Sequence, residues 1–340
     1  MLSERYSRQI LFKGIGPAGQ KKIQDAYIAV IGCGALGTSS SEMLVRAGIG
    51  TLVLVDRDFV EVSNLPRQSL FTEEDARQGL PKAVAADRAL SRINSGVTVR
   101  SLVSDVTSEN IAEICSECSL IVDGTDNFET RYLINDYCVQ TGKPWVYGAC
   151  VGSFGTSCAF VPGRTGCFRC LCEDPPLGSG IETCETAGVV APIVHTVAAF
   201  QVAQALKLIT ASSAAEFKLL QVDIWEDHWR TVSLDGLKNP ECDCCAKRRF
   251  VFLEGSQESR LTRLCGRNAV QISPGRPVKL DFAELSGRLA RTAHVDFNDY
   301  MMRIKVQDFE IAVFPDGRSI IKGTDDPGLA RAVYSRYIGM

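Results

Sequence analysis

The sequence lacks an excess of charge of either sign. Its 37 lysines and arginines nearly balance 40 aspartates and glutamates, which gives a formal net charge of -3 at pH 7. A protein that binds nucleic acid or an anionic membrane over a broad face carries a strongly basic surface. The composition therefore argues against nucleic acid and membrane as partners, and it is compatible only with a local basic pocket.

Long apolar runs and export signals are also missing. No uninterrupted apolar run approaches the roughly 20 residues that span a bilayer, and residues 1–8 lack the apolar region of a signal peptide. We therefore expect a cytoplasmic protein. Without an export signal, the 14 cysteines are expected to be metal ligands, reactive thiols and small buried side chains rather than disulfides.

A glycine-rich loop follows the first apolar stretch. Residues 26–31 predict a strand, a helical pattern follows the loop, and a second predicted strand, 51–55, ends at Asp56. An acidic residue about 20 positions after such a loop is typical of nucleotide-binding β-loop-α-β units. The motif alone also fits a tight strand-to-helix turn that binds no ligand. Its glycines are Gly32, Gly34 and Gly37.

The order of apolar segments predicts the fold class. Strand and helix patterns alternate up to about residue 122, which indicates a largely parallel sheet. Two apolar runs, 146–149 and 156–161, then follow without a helix between them, so the sheet is expected to become antiparallel. We predict an α/β fold with a Rossmann-like mixed sheet and helices on both faces. A long apolar helix over 189–208 is a candidate for a subunit interface.

The pattern divides the chain into two parts. We expect a first domain over residues 1–250 and a small α+β module over residues 261–340. A rhodanese domain in the second part would need a cysteine in an anion-binding loop. The only cysteine after position 245, Cys265, precedes the strands predicted there, so we do not expect a rhodanese. Residues 171–184 predict a mobile loop.

Two Cys-x-x-Cys pairs predict a structural zinc site. Four thiolates at tetrahedral positions leave no coordination site open, so such an ion stabilises rather than catalyses. Redox-active dithiols are the alternative, and Cys172 and Cys244 lie beside the pairs as competing ligands. The four predicted ligands are Cys167, Cys170, Cys242 and Cys245.

A set of motifs occurs in one order over roughly residues 4 to 250. The motifs are Arg5-Tyr-Ser-Arg-Gln-Ile10, Gly32-Cys-Gly-Ala-Leu-Gly37, Asp56-Arg-Asp58, Asn64-Leu-Pro-Arg-Gln68, Pro81-Lys82, Asp123-Gly-Thr-Asp-Asn127, Cys184-x-x-Ala-Gly-Val189 and both cysteine pairs. This ordered set resembles the ThiF/MoeB family, the bacterial relatives of ubiquitin-activating E1 enzymes.

The resemblance implies an enzyme that uses ATP and Mg²⁺ to adenylate the C-terminal glycine of a small ubiquitin-like sulfur carrier of the ThiS or MoaD type. Such carriers end in Gly-Gly and serve thiamin or molybdenum-cofactor biosynthesis. A homodimer and a cysteine desulfurase or another sulfur donor are the further partners that it implies.

The resemblance also implies roles for single residues. Arg67 and Lys82 would contact phosphates, Asn64 and Gln68 would line the same pocket, and Arg8 would reach the neighbouring subunit's site. Gly32, Gly34 and Gly37 would let the backbone approach the phosphates, and Asp56 would bind ribose hydroxyls, with Asp58 better suited to a turn. Asp126 would bind magnesium with Asp123 in support, and Cys184 would be the catalytic or thiol-transfer cysteine.

Several of these residues could instead have an ordinary structural role. Asp126 precedes a helical segment and could be its N-cap, with Glu129 in the capping-box position. Arg8 could be a surface arginine, and Cys184 an inert loop cysteine. For the whole chain, the alternatives are an E1-like enzyme acting on another carboxylate or on a tRNA base, an NAD-dependent oxidoreductase and a non-enzymatic zinc scaffold.

Overall fold

A computed structural model describes residues 2–173, 187–211, 217–255, 261–264, 268–272, 279–289, 293–306 and 308–338. The chain forms two compact units, Met1–Gln257 and Glu258–Met340. Cys184 and Cys265 lie outside the described residues, as does most of the predicted loop 171–184.

The first unit contains ten α-helices and eight strands among its described residues. The strands are β1 (Tyr27–Ile31), β2 (Thr51–Val55), β3 (Thr98–Leu102), β4 (Leu120–Asp123), β5 (Trp145–Val151), β6 (Phe154–Phe160), β7 (Lys218–Asp223) and β8 (His228–Ser233). The helices are α1 (Leu2–Arg5), α2 (Ser7–Leu11), α3 (Gly16–Asp25), α4 (Ala35–Ala47), α5 (Glu73–Gln78), α6 (Lys82–Ile93), α7 (Ile111–Cys115), α8 (Phe128–Thr141), α9 (Phe168–Leu171) and α10 (Ala191–Thr210).

The eight strands form one mixed sheet in the order β3-β2-β1-β4-β5-β6-β7-β8. The first five are parallel, as alternating strands and helices predict. From β5 to β8 each neighbouring pair is antiparallel, which confirms the change of direction expected after Trp145. Because β1, β2 and β4 are parallel, the loops after Ile31, Val55 and Asp123 meet at one edge of the sheet.

Apolar side chains alternate between the two faces of the sheet. Ile28 and Val30 join a core formed with α4, α6 and α10, whereas Ala29 and Ile31 join a second core formed with α7 and α8. The period of two in a strand places neighbouring residues on opposite faces. Helices therefore cover both faces, and the loops at the sheet edge are held on a rigid support.

Helix α10 is long and apolar enough to span a membrane by length and composition alone. It has 20 residues with a mean hydropathy of 1.3, and polar side chains interrupt its apolar run. Ile193, Val194 and Val197 are fully buried against the sheet, and Gln201 is buried as well. This pattern is that of a core helix in a folded domain.

The second unit is built on an antiparallel sheet of order β11-β12-β13-β14-β10-β9. Buried side chains of α11 and α12 share an apolar core with β10 and β12–β14. The sequence predicted neither β9 nor β11, so one strand precedes Cys265, contrary to expectation. The elements are β9 (Leu261–Leu264), β10 (Ala269–Ile272), α11 (Phe282–Leu289), β11 (His294–Phe297), β12 (Met302–Val306), β13 (Phe309–Val313), β14 (Ser319–Lys322) and α12 (Pro327–Tyr337).

Candidate functional site

The glycine loop crosses the loop after β4 at very short range. Gly32 has a φ of +91°, which favours glycine, and a Cβ added there would lie 2.6 Å from the carbonyl oxygen of Gly124. A Cβ on Gly37 would overlap the carbonyl oxygen of Gly32. At Gly34 the nearest atom would be 3.7 Å away. Gly32 and Gly37 are therefore required by packing, and Gly34 leaves its side-chain space open at the start of α4.

Asp56 shapes the loops around the glycine motif. Its Oδ2 accepts a hydrogen bond from the backbone N–H of Cys33 at 2.6 Å, and its Oδ1 accepts one from the N–H of Asp58 at 2.7 Å. Burial raises the pKa of Asp56, and the nearby Lys82 ammonium opposes that rise. Asp56 thus acts as a turn residue itself, and each of its oxygens keeps a second lone pair for a ligand.

Lys82 is held at the site by Asp58. Its Nζ lies 3.2 Å from Asp58 Oδ2, with only 5% of the lysine side chain exposed. The backbone N–H of Lys82 also donates to the carbonyl of Asp58 at 2.9 Å. Because Lys82 is the first residue of α6, its ammonium lies at a helix start where anions are stabilised. This placement suits a phosphate contact.

Asp123 is part of a buried ion pair that sequence reasoning missed. Its Oδ2 lies 3.1 Å from Arg131 Nε, and the two side chains are 0% and 6% exposed. Arg131 Nη2 also donates to the carbonyls of Thr125 and Gly148 at 2.8 and 3.2 Å. Gln201 donates to the carbonyl of Asp123 at 2.7 Å. These contacts fix the loop that carries Asp126.

The alternative role of Asp126 as a helix N-cap is wrong. Asn127 is the N-cap of α8, because its side-chain oxygen accepts from the backbone N–H of Thr130 at 2.8 Å. Asp126 precedes the cap and is exposed. Burial lowers the pKa values of Arg57 and Arg131, but neighbouring carboxylates raise them overall, Asp105 and Asp123 most strongly and Asp126 to a smaller extent. The Asp126 charge therefore acts on both arginines at the sheet edge.

Acidic and basic side chains form one continuous charged network at this edge. Arg57 lies 2.7 Å from Asp105 and 3.9 Å from Asp58, which links the Lys82 side of the site to Asp126. The network has more carboxylates than cations, so it carries surplus negative charge when all members are ionised. Such a surplus suits a divalent cation. The members are Asp56, Asp58, Asp105, Asp123, Asp126, Arg57, Lys82 and Arg131.

The segment after β2 contributes a short 3₁₀ turn, Val62–Asn64. Asn64 shapes this turn, because its Oδ1 accepts from the N–H of Glu61 at 3.0 Å and its carbonyl accepts from the N–H groups of Arg67 and Gln68. Arg67 Nη1 donates to the carbonyl of Ser63 at 2.7 Å. Gln68 is 4% exposed, and its Oε1 has no hydrogen-bond partner among the described residues.

Arg8 is remote from the site of its own chain. It lies on α2 and is exposed, while neighbouring Gln9 donates to the carbonyl of Ala47 at 2.9 Å. Ala47 ends α4, whereas the glycine loop begins it, and a 13-residue helix is about 20 Å long. The structure therefore does not bring Arg8 to the residues of its own nucleotide loop.

The four predicted zinc ligands converge. The Sγ atoms of Cys167 and Cys242 are 3.7 Å apart, those of Cys170 and Cys245 are 3.5 Å apart, and all four lie within 4.8 Å of one another. Zinc–sulfur bonds of about 2.3 Å at tetrahedral angles require sulfur separations of about 3.8 Å. The cluster is thus compatible with zinc and favours one metal site over two dithiols.

The group of converging thiols among the described residues does not include the neighbouring Cys172 and Cys244. Cys244 accepts a hydrogen bond from Asn135 Nδ2 at 3.3 Å and packs beside Cys167 and Cys242. The carbonyl of Cys172 accepts from the Tyr132 hydroxyl at 2.9 Å. A cavity of about 400 Å³ borders the cluster, with Trp145, Phe160 and Cys245 in its wall. Since β5 begins at Trp145 and β6 ends at Phe160, this cavity lies at the sheet edge opposite the charged network.

Comparison with known proteins identifies the family. Residues 6–244 match the ThiF family model. The chain is 46% identical over 339 residues to the Bacillus subtilis sulfur carrier protein ThiS adenylyltransferase, covering 99% of this chain and 100% of that protein. It is 35% identical over 267 residues to the Dictyostelium discoideum adenylyltransferase and sulfurtransferase MOCS3, covering 78% of this chain and 61% of that protein.

The fold is also found among solved structures. A crystal structure of E. coli MccB with ATP superimposes with a TM-score of 0.62 at 26% identity, covering 71% of this chain and 74% of MccB. The match includes the mixed sheet and its flanking helices. From the family match and the full-length relative, the chain belongs to the ThiF family and is an adenylyltransferase.

Proposed function

We propose that the protein transfers AMP from ATP to the C-terminal glycine carboxylate of a small ubiquitin-like sulfur carrier of the ThiS type, with release of pyrophosphate. The observation that carries this proposal is the 46% identity to a ThiS adenylyltransferase over the full length of both chains. The shorter coverage of MOCS3 makes a MoaD-type carrier the second choice within the same reaction.

The residues at the sheet edge support this chemistry. A carboxylate is already ionised at neutral pH, so its attack on the α-phosphorus needs no general base. The reaction needs alignment of the two substrates and neutralisation of the phosphate charge that leaves as pyrophosphate. Lys82 and Arg67 would neutralise phosphate oxygens, Gly34 would let the loop approach them, and Asp56 would accept from the ribose hydroxyls.

Asp126, supported by Asp123, would hold the magnesium ion. The surplus negative charge of the network and the exposure of Asp126 suit an oxygen-ligand cation. When bound, magnesium would offset the negative charge of the phosphates. Asn64 and Gln68 would line the nucleotide pocket, where the unpaired Oε1 of Gln68 would accept a hydrogen bond from a ligand.

The test is ATP–pyrophosphate exchange with purified carriers of the ThiS and MoaD types. Each carrier is compared with a form that lacks its terminal glycine. Exchange that requires one intact carrier supports the proposal and identifies the carrier. ATP binding without exchange in the presence of either carrier would contradict it.

A second candidate substrate is a peptide carboxylate. The observation that favours it is the likeness to MccB, which has been solved together with MccA. The identity to MccB is only 26% over 72% of this chain, so a peptide substrate has less support than a sulfur carrier. ATP–pyrophosphate exchange that depends on a short peptide rather than on a carrier would favour a peptide substrate. Tight dinucleotide binding without exchange would instead favour the oxidoreductase alternative.

An aromatic hairpin would dock the body of the carrier. Trp225 and Trp229 are 77% and 60% exposed on the turn and edge strand formed by β7 and β8. Asp223 makes this turn rigid, because it accepts from Ser153 Oγ at 2.8 Å and from the N–H of Trp225 at 3.0 Å. The hairpin lies at the sheet edge that carries the charged network. Exposed aromatic side chains on a rigid support are typical interaction residues.

Replacing Trp229 with alanine is expected to raise the carrier KM about tenfold, with little change in the KM for ATP. Loss of an aromatic contact weakens docking and leaves the nucleotide site intact. Exchange assays at varied carrier concentration measure the effect. Glu113→Ala, a truncation of an exposed side chain on α7, is the control. An unchanged carrier KM in Trp229→Ala would place docking elsewhere.

We propose a homodimer in which Arg8 completes the partner's site. Helix α4 begins at the glycine loop, and helix α10 begins near the β5–β6 turn. Helix α4 ends near α2, and helix α10 ends near α3. An exposed stripe of α10, which contains Pro192, His195, Ala199 and Ala203, offers a flat surface for a second copy. A two-fold axis across this stripe would bring the Arg8 end of one subunit to the nucleotide end of the other.

This arrangement predicts complementation between two inactive variants. Arg8→Ala should reduce exchange on the order of 10³-fold, as removal of an arginine finger does. A mixture of Arg8→Ala and Asp126→Asn chains, refolded together or left to exchange subunits, should regain about one quarter of wild-type activity. Half of the dimers would then be mixed, each with one complete site. No recovery, with mixed dimers present by mass spectrometry, would contradict action in trans.

We propose that the four-cysteine cluster binds one structural zinc ion. Cys170→Ser is expected to abolish zinc binding and to lower the Tm by about 10 °C or more, because the metal joins two segments distant in sequence. Metal analysis and thermal denaturation measure both effects. Cys172→Ser, a half-buried neighbour outside the cluster, is the control. Full zinc content in Cys170→Ser would exclude Cys170 as a ligand.

Further roles follow from the proposed reaction. Cys184 would attack the carrier acyl-adenylate to form a thioester with release of AMP, and a cysteine desulfurase or another donor would supply the sulfur. We assign adenylation to the first domain, residues 1–250, and place the enzyme in the cytoplasm. The α+β module, 261–340, would select partners or stabilise the chain.

A further inference from the structure

A third Cys-x-x-Cys pair, Cys115-Ser-Glu-Cys118, lies outside the sites described above. Cys115 ends the five-residue helix α7, and one residue, Ser119, separates Cys118 from β4. Because β4 ends at Asp123, this pair is at the edge of the sheet opposite the charged network. Neither thiol belongs to the four-cysteine cluster or to the proposed adenylation chemistry.

The backbone holds the two cysteines in a geometry that a disulfide can adopt. The N–H of Cys118 donates to the carbonyl of Cys115 at 3.1 Å, which closes a turn. Such turns keep their first and fourth Cα atoms within about 7 Å, and disulfides span about 4.4–6.8 Å. The two thiols are close enough to shift each other's pKa, and the Cys118 thiol also lies 3.9 Å from the carbonyl oxygen of Ile114. Bridge formation therefore needs little movement of the chain.

Lys143 fixes this turn and brings a positive charge to it. Its Nζ donates to the carbonyls of Cys115, Ser116 and Cys118 at 3.1, 2.7 and 2.6 Å. The hydrogen bond from the Cys115 thiol, helped by the Lys143 ammonium against the effect of burial, lowers the pKa of Cys118. The same hydrogen bond raises the pKa of Cys115. Cys118 is therefore the more acidic thiol and the expected nucleophile of the pair, and Cys115 acts as a hydrogen-bond donor to it.

The pair lies just beneath the surface. Cys115 and Cys118 are 0% and 1% exposed, whereas Ser116, Glu117 and Ser119 between and beside them are exposed. Opening of this single turn would bring the Cys118 sulfur to solvent. A helix of only five residues contributes little stability of its own, so the opening requires no change in the sheet.

We propose that Cys115 and Cys118 form an oxidisable dithiol that exchanges with low-molecular-weight disulfides. The Cys118 thiolate attacks one sulfur of the small disulfide, forms a mixed disulfide and releases one thiolate. Cys115 then loses its proton to solvent and attacks the Cys118 sulfur, which releases the second thiolate. The protein loses two hydrogens, and the small disulfide is reduced to two thiols.

Cys138 is the competing partner for Cys115. It is fully buried on α8, where burial raises the pKa of its thiol, and it is close enough to Cys115 to affect the pKa of that thiol. The turn between Cys115 and Cys118 favours a disulfide between these two residues. Among the described residues, no backbone hydrogen bond joins Cys138 to Cys115 or to Cys118. Peptide mapping separates a Cys115–Cys118 bridge from a Cys115–Cys138 bridge.

The experiment treats the reduced full-length protein with glutathione disulfide and maps every cysteine by mass spectrometry after alkylation. The expected wild-type result is a Cys115–Cys118 disulfide, also formed in Cys138→Ser. Cys115→Ser should instead trap a glutathione adduct on Cys118, and Cys118→Ser should show neither bridge nor adduct at Cys115. Reduced Cys115 and Cys118 in the treated wild type, or a bridge to Cys138, would overturn the proposal.

Discussion

Replacing Asp126 with asparagine is expected to reduce carrier-dependent ATP–pyrophosphate exchange on the order of 10³-fold while ATP binding is largely retained. Asparagine keeps the size of the side chain and removes its charge. The carboxylate does not cap α8, because Asn127 does, so the helix should persist. The loss would therefore fall on magnesium placement and phosphate neutralisation, which act mainly in the transition state.

Two measurements make this prediction specific. Exchange at increasing Mg²⁺ should show a higher metal requirement in Asp126→Asn, while the dissociation constant of ATP, measured by calorimetry, changes only a few-fold. Glu129→Gln, an exposed carboxylate in the first turn of α8, is the matched control and should keep near-wild-type exchange. Full exchange in Asp126→Asn at ordinary Mg²⁺ would remove Asp126 from the site.

Elements with a clear apolar period could be predicted from the sequence, and several antiparallel strands could not. Helix α6 runs over Lys82–Ile93 as predicted, because Pro81 marks its start and its apolar face has a clear period. The edge strand β3 was predicted as well, and its burial alternates. Strand β7 was missed although it is largely buried. Strands β8 and β11 were missed too, since their residues are largely exposed and show no alternation. A strand of this kind takes its structure from pairing with its neighbour, which leaves little signal in the local sequence.

The residues of the candidate site could also be predicted only in part. Four of the site residues follow a strand or begin a helix, namely Asp56, Lys82, Asp123 and Asp126. Topology alone therefore indicates that they lie at one edge of the sheet. Arg131 was missed because it lies within α8, a helix buried on so many sides that its residues show no amphipathic period. Its partners, Asp123 and the carbonyl of Gly148, come from two different strands. Pairing across elements is visible only in the folded chain.

The glycine motif contains two kinds of glycine, and matched variants should separate them. Gly37→Ala is expected to destabilise the fold by about 3 kcal/mol or more, lowering the Tm by about 10 °C, because its Cβ would overlap the carbonyl of Gly32. The neighbouring loop cannot retreat easily, since Gly32 itself packs against Gly124. Thermal denaturation without nucleotide measures this effect.

Gly34→Ala is the control for packing and the probe for binding. Gly34 has a φ of -77°, and an added Cβ would be 3.7 Å from its nearest neighbour, so the Tm should fall by less than about 3 °C. The methyl group would occupy the space at the start of α4 where we place phosphate, and ATP affinity should fall about tenfold or more. Equal ATP affinity in Gly34→Ala and wild type would mean that phosphate binds away from this loop, even if Gly37→Ala unfolds as expected. A stable Gly37→Ala protein would show that the crossing of the two loops can open, and the distinction between packing and binding glycines would then be wrong.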